Sequence, residues 1–376
     1  MRRPDRLEKS LPDDPVRALR ARELLAETRQ LIAAERWKEA APCAHALVQS
    51  APQLAEGYEL MGIAALRTGA ARVAEGCFER AVALGPATAS RLLHWGKALL
   101  ALDEAAAAER IFHRALLIRP DDPAILADLG DAQLHQDRHT EALKSFRRLL
   151  KRAPDHLYAA HMVAALTTAG QPDRAYVKQL FDDYAGIFDE HLTETLRYRV
   201  PQQLIEMIAA TGRPISSALD LGCGTGLVAS ALDNRADAVD GIDLSPAMIE
   251  KARLRHLYRH LAIGDCTELL ENDTGFAGPY DLIVAADVFI YIGALESIFT
   301  ALRPRLAPAG LVAFSIETSR AVPIEIRASG RFAHSQDYIL GLAEQHDLSI
   351  LADKPTDIRL EQDTPIPGHL YVLEQR

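Results

Sequence analysis

Cysteine is scarce in this 376-residue chain: Cys43, Cys77, Cys223 and Cys266 are all it has, and no two of them form a C-x-x-C pair. That pattern excludes a disulfide framework and a structural zinc site, and it makes the reducing cytoplasm the expected compartment. Long apolar runs are missing too. None reaches the roughly 18 residues a transmembrane helix needs, so no membrane contact is expected. No grouping of histidine and acidic residues has the spacing of a metal centre, so no metal is expected. Residues 1–20 are rich in arginine, but Asp5, Glu8, Asp13 and Asp14 interrupt them and they hold no apolar core. Such a segment reads as a disordered polar lead-in, not a signal or transit peptide. A basic excess is the last absence. Net charge is −10; residues 155–376 carry 18 basic and 31 acidic side chains, while residues 1–20 stand at +2 and residues 21–154 at +1. An acidic surface repels phosphate backbones, so no nucleic acid is expected as partner or substrate.

What is present points to two domains. The length exceeds one ordinary core, and 48% hydrophobic with 25% charged residues is the composition of a globular protein. In the first half, proline recurs at Pro52, Pro86, Pro120 and Pro154 and alanine at Ala40, Ala74, Ala108 and Ala142, every interval being 34 residues. In the same frame stand Thr28, Gly62, Gly96 and Gly130, and then Ala44, Phe78, Phe112 and Phe146. The period is that of a helix hairpin. Two short amphipathic helices cannot bury their apolar faces alone, so stacked copies complete the core. Small residues let paired helices approach, and each proline ends a second helix.

This half resembles the tetratricopeptide repeat family, most closely over Glu56–Pro86 with Tyr58, Met61, Gly62, Ala74, Phe78, Ala81 and Pro86 on the family pattern. An all-α solenoid over residues 21–170 is expected, with four repeats, the first degenerate, and a capping half repeat from His156 to Gly170. The resemblance implies a protein or peptide partner in the concave surface. By family register that surface carries Glu59, Ile63, Leu66, Leu93, Lys97, Leu100, Asp131 and Leu134. It lacks the lysine and asparagine set that clamps chaperone tails. Its leucines suit a partner, the chain's own C-terminal half or a second copy.

From about Pro214, short apolar runs alternate with amphipathic stretches, the pattern of β-α-β units and a parallel sheet. Strands are expected at 217–221, 238–243, 261–263, 280–285, 311–316, 348–354 and 369–373. The first runs into a turn holding Asp220, Gly222, Gly224 and Gly226. A glycine-rich turn between strand and helix lets a ligand touch the backbone. A nicotinamide fingerprint needs a third glycine at 227, where Leu227 stands. Asp220, two places before the first glycine, suits a ligand with an ammonium and a sulfonium better than a pyrophosphate. Asp243 ends the second strand, where a carboxylate accepts from both hydroxyls of a ribose. Asp265 follows the third strand and can accept from an adenine amine.

In order and spacing, the D-x-G-x-G-x-G turn, Asp243, the Gly264-Asp265 pair, the Tyr280-Asp281-Leu-Ile-Val strand and the turn at Leu306-Ala-Pro308-Ala-Gly310 resemble the class I S-adenosylmethionine (SAM) dependent methyltransferases. That resemblance implies a Rossmann-like seven-stranded sheet over residues 214–376 with its last strand antiparallel, and S-adenosyl-L-methionine as cofactor. Gly222, Gly224 and Gly226 would form its loop, the first two against the methionine part, with Asp220 near the amino group. Asp243 would hold the ribose, Leu244 and Met248 would flank the adenine, and Asp265 and the Cys266 backbone would read its edge. Asp287 would lie near the transferable methyl. Ala309 departs from the family, which has glycine there.

Residues 171–213 are expected to link the domains and to carry a lid. Phe181, Tyr184, Phe188 and Leu192 fall at helical spacing, and the resemblance makes Tyr184 a cofactor contact. The combination is similar to a bacterial group of repeat-containing methyltransferases. Methyl transfer is an in-line displacement that needs alignment and a dry site; a protic acceptor also needs a base. Asp287, Tyr291 and His334 are the catalytic expectations, with His191 a further possible base. The acceptor is open between a small molecule, a carrier-bound acid and a protein side chain. The competing function is an interaction protein whose α/β domain binds SAM without catalysis.

Overall fold

The computed structural model describes residues 10–167, 173–192, 196–319, 322–361 and 364–376. The chain divides into two compact units, Met1–Ala159 and Ala160–Arg376.

The first unit is a run of paired helices: α1 Pro15–Ala33 with α2 Trp37–Ser50, α3 Ala55–Arg67 with α4 Ala71–Leu84, α5 Ala89–Leu100 with α6 Ala105–Ile118, and α7 Pro123–Leu134 with α8 His139–Leu150. Helix α1 starts earlier than the expected lead-in allows. The Asp14 carboxylate accepts from the amides of Val16 and Arg17, and Pro15 occupies the first helical position. Of the lead-in, residues 1–9 lie outside the described residues. Pro52, Pro86 and Pro120 each stand two residues past the end of a second helix.

The glycine–phenylalanine pairs explain the period. A Cβ on Gly62, Gly96 or Gly130 would come within 2.9, 2.2 and 2.5 Å of the rings of Phe78, Phe112 and Phe146. Each ring therefore fills the space its repeat's glycine leaves, and all three phenylalanines are fully buried. In the first repeat the ring is missing and Thr28 fills the space, its hydroxyl donating to the Leu24 carbonyl at 2.7 Å. The turn inside each pair has its own 34-residue rhythm, with Glu35, Gly69, Asp103 and Asp137 all at positive φ. Only one of these is glycine, so composition hid the rhythm. Polar members of the expected concave surface are engaged within the array: Glu59 with buried Arg91 at 2.7 Å, Lys97 with Asp128 at 3.4 Å, and Asp131 accepting from Tyr158 at 2.6 Å.

The capping helix, α9, runs Leu157–Thr167, and from Ala160 onward its residues belong to the second unit. Residues 168–170 of the expected cap lie outside the described residues. Next come α10 Arg174–Tyr184, a single turn at Phe188–Glu190 and α11 Val200–Ala210. The expected lid helix is thus broken after Tyr184, ahead of Gly186.

The sheet has the expected seven strands: β1 Ile215–Leu221, β2 Ala236–Asp243, β3 His260–Ile263, β4 Tyr280–Ala285, β5 Leu306–Thr318, β8 Leu348–Glu361 and β9 Thr364–Gln375. Their order is β3-β2-β1-β4-β5-β9-β8; β1 to β5 are parallel, and β9 is antiparallel to both β5 and β8. Two short strands were not expected, β6 Ile324–Ile326 and β7 Phe332–His334. Glu317 of β5 pairs with Gly368 of β9 on one edge and Ala333 of β7 on the other. β4 leaves that second edge at Phe314, so the β6–β7 hairpin takes it up beyond the end of β4. Alternation along the strands feeds two layers. Ile283, Val312, Phe314 and Tyr371 bury one face with Phe299 and Leu342; Leu282, Val284, Ala313 and Val372 bury the other with Leu204, Ile208 and Val228. Asp281 is structural: its carboxylate accepts from the amides of Ser216 and Ser217 at 2.9 Å each. Ala309 sits at φ +59, a left-handed conformation that glycine takes freely and alanine adopts at a cost. No helix among the described residues is long and apolar enough to cross a membrane.

Candidate functional site

A cavity of about 690 Å³ opens at the carboxyl ends of β1, β2, β3 and β4. The strand order reverses between β1 and β4, the place where open parallel sheets hold ligands. Gly222, Gly224 and Gly226 all have positive φ, and the first two line the cavity. A Cβ on Gly224 would meet only ring carbons of Phe188, 3.8 Å away, so the backbone is open to a ligand there. Gly226 is turned elsewhere. It opens the helix α12, Leu227–Leu232, and its Cβ would press on Arg255 and Tyr258.

Asp243 and Leu244 form the next wall. Asp243 accepts from the Gly224 amide on one oxygen and the Ser245 amide on the other, both at 2.8 Å, which joins the two ligand loops. Each carboxylate oxygen keeps acceptor capacity for a hydroxyl. Burial pushes the Asp243 carboxyl up to about 6. Asp220 lies beneath the loop and off the cavity wall. One of its oxygens accepts from the Tyr258 hydroxyl at 2.7 Å, and the other is buried with no hydrogen-bond partner among the described residues. Burial, with help from the Asp243 charge, raises it to about 7. Two buried carboxylates in this state favour a cation beside them. Met248, in α13 Pro246–Leu254, is wholly buried and does not reach the wall.

Asp265 and Cys266 line the far side. Asp265 caps the helix α14, Cys266–Asn272, by accepting from Glu268 N at 3.0 Å, and its other oxygen is 3.2 Å from Arg174 of α10. Burial raises the thiols of Cys223 and Cys266, which makes them packing residues and not nucleophiles.

Over this half lie α10 and the turn after it. Phe181, Tyr184 and Phe188 pack edge to face, and Phe181 also meets Tyr291, with centroids 5.1 Å apart. Two carboxylates clasp them to the ligand loops. Asp182 accepts from the Ser245 hydroxyl at 2.6 Å, and Asp189 accepts from Thr225 and from Arg255 at 2.5 Å. The Tyr184 hydroxyl is hydrogen-bonded to Nδ1 of His191, and both residues line the cavity.

The other end of the cavity is charged. Asp287, at φ +62, accepts from Arg359 at 2.8 Å; its second oxygen is buried with no hydrogen-bond partner among the described residues. Arg359 also binds Glu317, and Arg331 lies 3.3 Å from Glu317 and pairs with Glu361. Burial pushes the Tyr291 hydroxyl, on the same wall, up to about 12. Such strain and unmatched polar atoms collect at functional sites.

His334 departs from expectation. It ends β7 with no exposed surface, its Nε2 is hydrogen-bonded to the Gly293 carbonyl at 2.7 Å, and burial pushes it down to about 4. A ring so enclosed, off the cavity wall, belongs to the packing of the hairpin. Glu317, Arg331 and Arg359 were not found in the sequence. The one signal was Glu317, a lone carboxylate closing the mostly apolar run 311–316 at the sheet's carboxyl edge. Among the described residues no group of three or more His, Cys, Asp or Glu is placed to hold a metal ion.

Comparison with known proteins follows the same division. Residues 219–312 match the family described as a methyltransferase domain, and residues 99–166 match the tetratricopeptide repeat. The chain is 30% identical over 149 residues to a malonyl-[acyl-carrier protein] O-methyltransferase of Geobacter sulfurreducens, covering 38% of this chain and 54% of that protein. It is 35% identical over 133 residues to the methyltransferase-like protein 27 of Homo sapiens, covering 34% and 50%. The chain thus spans about half the length of the curated relatives it matches. Among solved structures, the N-methyltransferase NodS of Bradyrhizobium japonicum in complex with S-adenosyl-L-homocysteine (SAH) is 19% identical, with a TM-score of 0.42, covering 53% of this chain and 97% of that one.

Proposed function

Starting from a chain that carries a class I SAM-dependent methyltransferase domain beside a tetratricopeptide repeat region, we propose that it transfers a methyl group from SAM to an acidic acceptor, small or carrier-bound, and that the array engages a protein or peptide partner. One observation carries this reading: a wall suited to the cofactor and a wall bearing two arginines share a single cavity. The cofactor supplies a methyl group on a sulfonium, an already good leaving group.

The residues present fit that group. Asp243 offers both carboxylate oxygens to ribose hydroxyls, and Gly222 and Gly224 leave room for close backbone approach. The unmatched oxygen of Asp220 and the raised carboxyls beside it favour a positive ligand. Leu244 is positioned to flank an adenine. Phe181, Tyr184 and Phe188 cover the site and keep water out. Asp287 holds Arg359 in place, and Tyr291 and Arg331 border the remaining space, with Leu192, Leu196, Pro201 and Leu360 as its apolar wall. A carboxylate acceptor has no proton to lose, so charge and alignment are what the site must provide. Arg331 provides the charge by exchanging half-exposed Glu361 for the acceptor's acid. The relatives in Geobacter and elsewhere named for a malonyl group on a carrier protein support an acid of this kind.

Calorimetric titration with SAM, SAH and NAD is the first test, with binding of the first two alone expected. Labelled methyl from SAM should then appear on acyl thioesters with a free terminal carboxylate, as an ester that base releases as methanol. Base-stable label on an amine would refute the acidic acceptor. SAM binding without transfer to any acceptor class would favour a non-catalytic interaction protein.

A further inference from the structure

The capping helix α9 does not look like the end of a solenoid. A terminal cap needs a polar outer face, yet Leu157–Thr167 holds no charged residue apart from what His161 can carry. His161 lies near its centre with no exposed surface. Both ring nitrogens are committed. Nε2 is 2.7 Å from the Gly330 carbonyl, and Nδ1 is 3.2 Å from the Asp173 amide. An amide can only donate, so Nδ1 is the acceptor, Nε2 carries the proton and the ring is neutral. Burial lowers its pKa, in keeping with that state. The ring stacks on Tyr176 with centroids 4.6 Å apart.

Each partner directly precedes a residue that lines the cavity, Asp173 before Arg174 and Gly330 before Arg331. Asp173 caps α10 through the amides of Ala175 and Tyr176, and α10 carries Phe181 and Tyr184. Gly330, at φ +75, is in the turn of the β6–β7 hairpin, one residue before Arg331. We propose that His161 is a positioning residue that sets the start of the lid helix and the Arg331 turn relative to each other. It acts through its two hydrogen bonds, so part of the repeat cap is a working part of the methyltransferase unit. This rests on the cofactor reading for its binding consequence, but its structural consequence stands without it.

The test uses the full chain with His161→Phe, which keeps ring volume and stacking but removes both hydrogen bonds, and His161→Gln, which keeps a donor and an acceptor on a smaller side chain. Amide exchange is measured without ligand, and SAH affinity by calorimetry. In His161→Phe, exchange should speed up in residues 174–184 and 324–334 together, and SAH should bind about 10-fold more weakly. His161→Gln should recover both readouts to within about 3-fold, the cost of two buried hydrogen bonds being the larger effect. If packing alone were its role, the order would invert, with His161→Phe behaving as the parent and His161→Gln impaired; that result overturns the proposal. So does faster exchange confined to α9. If the parent chain binds no SAH, the cofactor reading fails, and the exchange data still decide the role of His161.

Discussion

The two units solve the same problem of burying a core in opposite ways. In the array, most exceptions to simple packing are matched nearby: a ring fills the space at Gly62, Gly96 and Gly130, and buried Glu109 is met by Gln133, Gln136 and Arg138, while the Trp95 indole nitrogen is buried without a hydrogen-bond partner among the described residues. In the sheet unit more exceptions are left standing, and the carboxylates among them lie at one cavity or just beneath its glycine loop. Asp220 and Asp287 each keep an oxygen without a hydrogen-bond partner among the described residues, Asp287 is held left-handed, and Arg359 and Glu317 are buried as ions at the mouth of the sheet. Departures from consistent folding rules concentrate where a ligand is meant to complete them. The unmatched carboxylates of the second unit thus point to the same cavity as the sequence motifs, by a separate route.

The contrast can be broken first at its costliest point. Arg359→Leu leaves Asp287 without its ion-pair partner and removes one of the three arginines around Glu317, and should cost about 3–5 kcal/mol in chemical denaturation of the second unit; a loss below about 1 kcal/mol would mean that water reaches Asp287. Next in size, Asp243→Ala should weaken SAM by about 10- to 100-fold, the loss of a charge-assisted hydroxyl pair, and unchanged calorimetric affinity would refute the ribose assignment. In the array, Gly96→Ala should destabilise by about 1–3 kcal/mol, because the new methyl meets the Phe112 ring and overpacks the pair. A neutral or raised melting temperature would show that the helices can separate freely.

A pH series distinguishes packing from binding. Burial raises the Asp220 and Asp243 carboxyls to about 7 and about 6, so both are protonated at pH 5 and ionised at pH 8. Their contribution to the ligand-free stability is present at low pH and lost as pH rises through those values. SAM, a cation with hydroxyl donors, selects the ionised forms, so its affinity should run the other way and rise about 10-fold between pH 5.5 and 7.5, roughly one pK unit of coupling. Affinity that is flat over that range would remove these carboxylates from the binding site. The smallest expected effect is Ala309→Gly, which relieves a left-handed alanine and should stabilise the sheet unit by about 0.5–1 kcal/mol in thermal melts.

Elements that rest on local or periodic physics were legible in the residues. The 34-residue frame fixed the helix pairs, because proline stops and glycine–ring pairs act over one repeat. The seven main strands and the glycine turn were legible because apolar alternation and left-handed turns leave residue-level marks, and Asp243, Leu244, Asp265 and Asp287 fell where the strand ends put them. The rest depends on contacts between segments far apart in the chain. His334 read as a loop histidine, yet strand pairing of β7 with β5 encloses it. Gly226 and Met248 carry the pattern but face away from the cavity. Arg331, Arg359 and Glu317 come from a hairpin, a late strand and the end of β5, so only the closed sheet brings them together. His161 sits in a repeat cap, more than 160 residues from its carbonyl partner, Gly330. A buried ion pair or a shared hydrogen bond is a property of two segments at once, and no period or motif within one segment encodes it.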